Sequence, residues 1–204
     1  MIDKIIQPYT QPFLKIISKI LIKFITPNQI SLVGFISGLV MCVFIILDFY
    51  LYALVALILN RFLDGLDGTM ARLTTPTPFG GYIDIVFDFV IYGGFVLSFG
   101  LTNNTFITSA CLLLFLYIGT SSTFLAYAAL LKNYNPKFEN KNSKKINKGF
   151  YYTSGLVEGF ETIVFMILCL LAPEFFNIFA ILFSMFCLVT IVSRVFISYK
   201  RFKQ

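Results

Sequence analysis

The chain has 204 residues, a length that fits one domain, with 58% hydrophobic and only 13% charged residues, 25 phenylalanines and no histidine. Water-soluble domains carry about 25% charged residues, so a soluble globule and a disordered chain are both excluded. The net charge is +6, from 16 Lys+Arg against 10 Asp+Glu, and the lack of histidine rules out a His-based triad, a His-ligated zinc and a His-held haem. The four cysteines (Cys42, Cys111, Cys169 and Cys187) stand singly in apolar runs. They read as buried thiols rather than as a disulfide framework or a CxxC metal site.

In chain order, the first element is Phe13–Ile25, which is too short to span a bilayer. Lys15, Lys19 and Lys23 recur every four residues beside Phe13, Ile16, Ile17, Ile20, Leu21 and Phe24. This spacing predicts an amphipathic helix lying in the membrane interface. A signal peptide fits less well, because lysines interrupt the apolar run and no small-residue cleavage site follows. Thr26-Pro27-Asn28 ends this helix and begins the next, with proline tolerated in a first turn.

A helix needs about 20 mostly apolar residues to cross the hydrocarbon core. Six stretches qualify: Ile30–Leu47, Tyr50–Arg72, Phe79–Leu101, Phe106–Leu131, Phe150–Ala172 and Phe175–Ser198. All seven prolines fall between or before them, as helix punctuation requires. The expected fold is an all-α membrane protein, a single domain over 1–204. It comprises an interfacial helix (1–25), a six-helix transmembrane bundle (26–198) and a cytoplasmic tail (199–204). Thirteen Lys and Arg lie outside the spans, all at the N-terminus, at the C-terminus or in the loop Lys132–Lys148. The loops after the first, third and fifth spans contain none. The positive-inside rule therefore puts both termini and that basic loop in the cytoplasm, in a bacterial inner membrane. The loop reads as a topology signal that meets anionic headgroups, not as a nucleic-acid site.

Six acids lie inside the predicted spans: Asp64, Asp67, Asp84, Asp88, Glu158 and Glu161. Each costs about 2.5–3.5 kcal/mol at a helix centre on insertion scales, so they call for a function. Asp64 and Asp67 are spaced i, i+3 near the cytoplasmic end of the second span. Asp84 and Asp88 are spaced i, i+4 near the cytoplasmic start of the third. Each pair shares one helix face, and a short turn lets the two faces meet at one depth. Four carboxylates without histidine or thiolate suit a hard cation, Mg²⁺ or Mn²⁺, and have room for two ions. Gly65, Gly68, Ala71, Gly80 and Gly81 remove bulk beside the acids, either for a phosphate-bearing ligand or for close helix packing. Arg72 adds a planar cation suited to a diphosphate.

Asp64-Gly65-Leu66-Asp67-Gly68-Thr69-Met70-Ala71-Arg72, then Gly80, Asp84 and Asp88, resembles the complete signature D-x-x-D-G-x-x-A-R-x(7–8)-G-x3-D-x3-D of the CDP-alcohol phosphatidyltransferases. All eight signature positions agree, and Thr26-Pro27-Asn28 before the first span is similar to the family as well. The resemblance implies transfer of a phosphatidyl group from CDP-diacylglycerol to an alcohol, with release of CMP. It implies that Asp64, Asp67 and Asp84 ligate metal, and that Asp88 lies at the metals and is the general base. Asp64, Asp67, Gly68, Ala71, Arg72 and Gly80 would contact the CDP moiety. Dimers are common in the family, so a homodimer is expected.

For the acceptor, Lys148, Glu158, Glu161 and Arg194 are the candidates. Glu158 and Glu161 either pair with Arg61 or Arg194 as structural glue or help select the acceptor. A pair of acids favours an amine or a polyol, whereas Arg194 with Lys148 favours a phosphate. Family members that make phosphatidylglycerophosphate usually carry Lys after the last signature aspartate. Phe89 stands there, which weighs against glycerol 3-phosphate. Inositol, inositol phosphate and serine stay open. A metal- or proton-coupled transporter is the competing reading of intramembrane acids, but no acid lies in the outer half of any predicted span.

Overall fold

Two helices that start at a threonine–proline pair set the frame of the site. The computed structural model describes residues 3–134 and 156–202. Its first α-helix, α1, is Asp3–Leu21, followed by α2, Pro27–Ile46. Thr26 caps α2: the Gln29 amide donates to Thr26 Oγ1 at 3.4 Å, and the Thr26 amide donates to Gln29 Oε1 at 2.9 Å. This reciprocal pair satisfies donors that a helix start leaves open. After a tight turn at Asp48, which adopts φ 61°, α3 runs Tyr50–Leu73. The helix α4, Pro78–Thr102, starts in the same way as α2, with Thr77 Oγ1 accepting from the Gly80 amide at 3.0 Å. A 3₁₀ turn leads into α5, Ile107–Tyr134; α6 is Gly159–Leu171, and after a second 3₁₀ turn α7 is Phe176–Phe202.

Four of these elements are long and apolar enough to cross a membrane: α2, α4, the 3₁₀ turn with α5, and the second 3₁₀ turn with α7. The predicted second span is present as the 24-residue α3, but that helix carries Arg61, Asp64, Asp67 and Arg72. Of the fifth predicted span, Phe150–Ala172, only the C-terminal part is described. Its described helix has 13 residues, and its predicted start lies outside the described residues. Glu158 and Glu161, which the sequence places inside that span, stand instead at the start of its described helix. Glu158 is the residue before α6 and Glu161 lies in its first turn, with the Glu158 amide donating to Glu161 Oε2 at 3.1 Å. Acids are favoured at a helix N-terminus, where free amides and the helix dipole meet them.

The interfacial helix also differs from the sequence reading. It begins ten residues before Phe13, runs through Pro8 and Pro12, and stops at Leu21. Each proline removes one amide donor without ending the helix. Leu14 packs with Ile30, Leu63, Leu66 and Met70, which lays α1 against α3, while Phe13, Ile16 and Ile20 stay exposed.

Among the longer helices, α2 packs along α3 and α4, α4 along α5, and α5 along α7. The main core is aromatic. Phe99 and Phe176 stack at 4.4 Å with their planes 1° apart, and Phe165 stacks on Phe183 at 4.5 Å. Leu51, Val55 and Ile58 on α3 and Phe115 and Ile118 on α5 point outward, where lipid rather than water suits them. At the end away from this aromatic packing, the C-terminal half of α3 and the N-terminal halves of α2 and α4 come together.

Candidate active site

That end holds an open cleft lined by Ser31, Arg61, Asp64, Asp67, Asp84 and Asp88, with Phe35 and Phe87 among its apolar walls. The two rings stack at 4.3 Å and tie α2 to α4 beside the acids. Helix spacing does the positioning. Asp64 and Asp67 lie one turn apart on α3, Asp84 and Asp88 one turn apart on α4, and the short Thr74–Thr77 connection sets the two pairs side by side.

One carboxylate oxygen from each of Asp64, Asp67 and Asp84 lies within 4.8 Å of the others. Asp67 is buried, and the Ser31 hydroxyl of α2 donates a short hydrogen bond to its Oδ2. Asp64 is half-buried and Asp84 exposed toward the cleft mouth. Oxygens around an octahedral cation at ~2.1 Å lie about 3 Å apart when adjacent and about 4.2 Å when opposite, so the three carboxylates would draw closer on binding Mg²⁺. The donor set is all hard oxygen, with no nitrogen or sulfur ligand. These residues fit a divalent cation of that class.

Asp88 faces the same cleft but is held differently. Arg61 Nη2 donates to its Oδ1 at 2.8 Å, and the Tyr92 hydroxyl donates to its Oδ2 at 3.3 Å. Arg61 also lies 3.6 Å from Asp64 Oδ2. One of the alternatives left open by the sequence pairs Glu158 or Glu161 with Arg61; in the structure Arg61 goes to Asp64 and Asp88. The reason is local: Arg61 is one turn before Asp64 on α3, on the face turned toward α4.

Residues 24–198 match the family model of the CDP-alcohol phosphatidyltransferases. The chain belongs to the CDP-alcohol phosphatidyltransferase family. Among its relatives is the inner membrane protein YnjF of Escherichia coli, 40% identical over 208 positions that cover 100% of this chain and 98% of that protein. Part of the chain also matches two synthases. The archaetidylinositol phosphate synthase of Pyrococcus horikoshii is 35% identical over 89 residues, 43% of this chain and 47% of that protein. The bifunctional IPC transferase and DIPP synthase of Thermococcus kodakarensis is 32% identical over 81 residues, 39% of this chain and 18% of that one. Membership makes the chain an integral-membrane CDP-alcohol phosphotransferase of phospholipid biosynthesis.

The remaining signature residues of this phosphatidyltransferase flank the carboxylates. Arg72 is exposed on the last turn of α3, where its Nη2 donates to Thr69 Oγ1 at 3.0 Å. The guanidinium lies back along the helix over Gly68, where a Cβ would make ordinary contact with Arg72 Nη1 at 3.4 Å. A Cβ on Gly80 would sit 3.1 Å from both Asn28 Oδ1 and Thr77 Oγ1. Thus Asn28, at the start of α2, closes on the first turn of α4. Ala71 is half-buried beside them.

The acceptor candidates are more scattered. Lys148 lies outside the described residues. Glu158 and Glu161 form the cap of α6, and a Cβ on the adjacent Gly159 would be 4.0 Å from the Tyr92 hydroxyl. Arg194 is buried on α7, donates from Nη1 to the Thr120 carbonyl of α5 at 3.0 Å and lies 5.8 Å from the Phe124 ring centroid. Sequence reasoning missed Ser31, Asn60 and Tyr92 altogether. Tyr92 had a legible signal, since it stands four residues after Asp88 on one helix face. Ser31 had none, because its contact is made across 36 residues.

Proposed function

We propose that this protein transfers a phosphatidyl group from CDP-diacylglycerol to an alcohol and releases CMP, with Asp88 as the general base. The observation that carries this reading is the meeting of Asp64, Asp67 and Asp84 within ligating reach of one cation, in a full family signature. Mg²⁺ or Mn²⁺, two ions in the full site, would be held by these three aspartates with Asp88 beside them. Such ions, when bound, neutralise the diphosphate and the charge that builds on the departing phosphate.

The rest falls to the chain's own groups. Arg72 and the space left by Gly68, Ala71 and Gly80 receive the CDP moiety at the mouth of the cleft, together with Asp64 and Asp67. A planar guanidinium matches phosphate oxygens two at a time. The exposed apolar faces of the helices keep the acyl chains in lipid. Asp88 takes the proton of the acceptor hydroxyl; that oxygen bonds to the lipid-side phosphorus, the bond to the CMP oxygen breaks, and CMP leaves. A base within hydrogen-bond reach of the hydroxyl is typically worth 10²–10⁴-fold.

In the membrane we place six spans, counting α3 and the segment that ends in α6. Both termini and the active site face the cytoplasm, as the basic residues direct. The protein works as a homodimer among membrane lipids. The acceptor is a polyol, serine or a phosphorylated alcohol such as glycerol 3-phosphate or inositol phosphate, and Lys148, Glu158, Glu161 and Arg194 are its candidate contacts. The names of the two partly matching synthases favour including inositol phosphate. The test is an acceptor panel of glycerol 3-phosphate, serine, inositol and inositol phosphate, offered with Mn²⁺ and CDP-dioleoylglycerol and read by lipid mass spectrometry and CMP release. One acceptor should give a new phospholipid and stoichiometric CMP. Release of CMP at the same rate by Asp88→Asn would end the general-base assignment.

A further inference from the structure

Arg61 touches two of the four signature aspartates, Asp64 at 3.6 Å and Asp88 at 2.8 Å, and its hydrogen bond goes to Asp88. Arg61 Nε donates to Asn60 Oδ1 at 2.7 Å, Nη1 to the Tyr92 hydroxyl at 3.2 Å and Nη2 to Asp88 Oδ1 at 2.8 Å. Asn60, 3% exposed, is anchored in turn: its Nδ2 donates to the Gly34 carbonyl of α2 at 2.8 Å. A Cβ on Gly38 would lie 2.4 Å from Ile91 Cδ1 and 3.2 Å from Asn60 Nδ2, so a larger residue there would crowd this seat. The Arg61 side chain is 14% exposed, and its guanidinium carbon lies 5.6 Å from the Tyr92 ring centroid. The α2 backbone is thus linked through Asn60, Arg61 and Tyr92 to both oxygens of one carboxylate on α4.

We propose that Arg61 is a positioning residue for the transfer reaction, aiming Asp88 at the acceptor hydroxyl while offsetting part of the negative charge of the aspartate set. The proposal rests on the reading of Asp88 as the base. With Arg61 on Oδ1 and Tyr92 on Oδ2, each oxygen keeps a lone pair for the cleft, and rotation of the carboxylate is blocked. A rigid planar fork is needed for this. A lysine ammonium supplies the charge but cannot reach Asn60, Tyr92 and Asp88 together in fixed geometry.

Two readouts separate aim from charge: Mn²⁺ affinity, by electron paramagnetic resonance titration of the full chain in lipid nanodiscs, and turnover, as CMP release from CDP-dioleoylglycerol with the four-acceptor panel. Arg61→Gln removes a cation a few ångströms from the carboxylates, so Mn²⁺ should bind at least about tenfold more tightly while turnover falls at least about tenfold. A residue that only supported the fold would lower both. Arg61→Lys should keep Mn²⁺ affinity within about twofold of the parent and still lose about tenfold in turnover, with the KM for CDP-dioleoylglycerol unchanged. Tyr92→Phe should lose about fivefold in turnover alone. Parent-level turnover in Arg61→Lys would overturn the proposal, as would unchanged or weaker Mn²⁺ binding in Arg61→Gln; if Arg61→Gln does not fold, Arg61→Lys decides. Failure of the base reading looks different: Asp88→Asn would then keep parent turnover whatever the Arg61 variants do.

Discussion

The two ends of the same helices are held by opposite chemistry. Toward one end of α4, Phe95 and Phe99 are fully buried among rings from α6, α7 and the turn before α5, with Phe99 and Phe176 stacked almost parallel. Toward its other end, roughly two to four turns away, Asp84 and Asp88 face Asp64, Asp67 and Arg61 across an open cleft. In lipid the apolar end gains little from burial as such, since acyl chains are as apolar as Phe, and it holds by close packing. At the charged end like charges are gathered, which costs stability unless a cation joins them. The lesson is a division of labour: the aromatic end sets helix positions so that the charged end can keep an arrangement that would not hold itself.

That contrast can be broken at either end, and the effects should differ in kind. The largest is expected at Asp84→Asn or Asp64→Asn, where loss of one carboxylate from the three-acid group should lower turnover by about 10³-fold or more and weaken Mn²⁺ binding, with folding unharmed. Thermal unfolding of the detergent-solubilised variant should stay at or above that of the parent, because a source of repulsion has gone. Next, Asp88→Asn should cost about 10²–10⁴-fold in turnover with the KM for CDP-diacylglycerol little changed, in steady-state CMP release. At the aromatic end, Phe99→Ala should do the reverse. Turnover per folded molecule should stay within a few-fold, while stability falls by about 2 kcal/mol, roughly half the ~3–5 kcal/mol of water-soluble cores because the transfer part is absent in lipid. Smallest, Glu161→Ala should cost about 0.5–1 kcal/mol of stability through the cap of α6. A much larger loss of turnover than of stability there would instead tie Glu161 to the acceptor.

The two ends were also unequally legible in the sequence. Span positions followed from apolar length and proline punctuation, so α2, α4, α5 and α7 agree with the expected stretches to within a few residues. The convergence of Asp64, Asp67 and Asp84 followed from i, i+3 spacing across a short turn. Contacts that depend on helix rotation were out of reach. Nothing in the order of residues says that Ser31 donates to Asp67, or that Arg61 turns toward Asp88 and not toward Glu158 or Glu161. The fifth stretch misled for a related reason: Glu158 and Glu161 count as costly charges inside an apolar window, yet they serve as a helix start. Hydropathy cannot tell a buried acid from a cap; only the backbone around it can.

The account stands or falls on the charged end being a metal-dependent site of phosphatidyl transfer. The most direct measurement is CMP release from CDP-dioleoylglycerol by the full chain in nanodiscs with the acceptor panel, with Mn²⁺ present or removed by chelation, for the parent and for Asp84→Asn. Release by the parent should stop on chelation, return when Mn²⁺ is restored, and be lost in Asp84→Asn. Release that persists at the parent rate without divalent cation, or in folded Asp84→Asn, would contradict it.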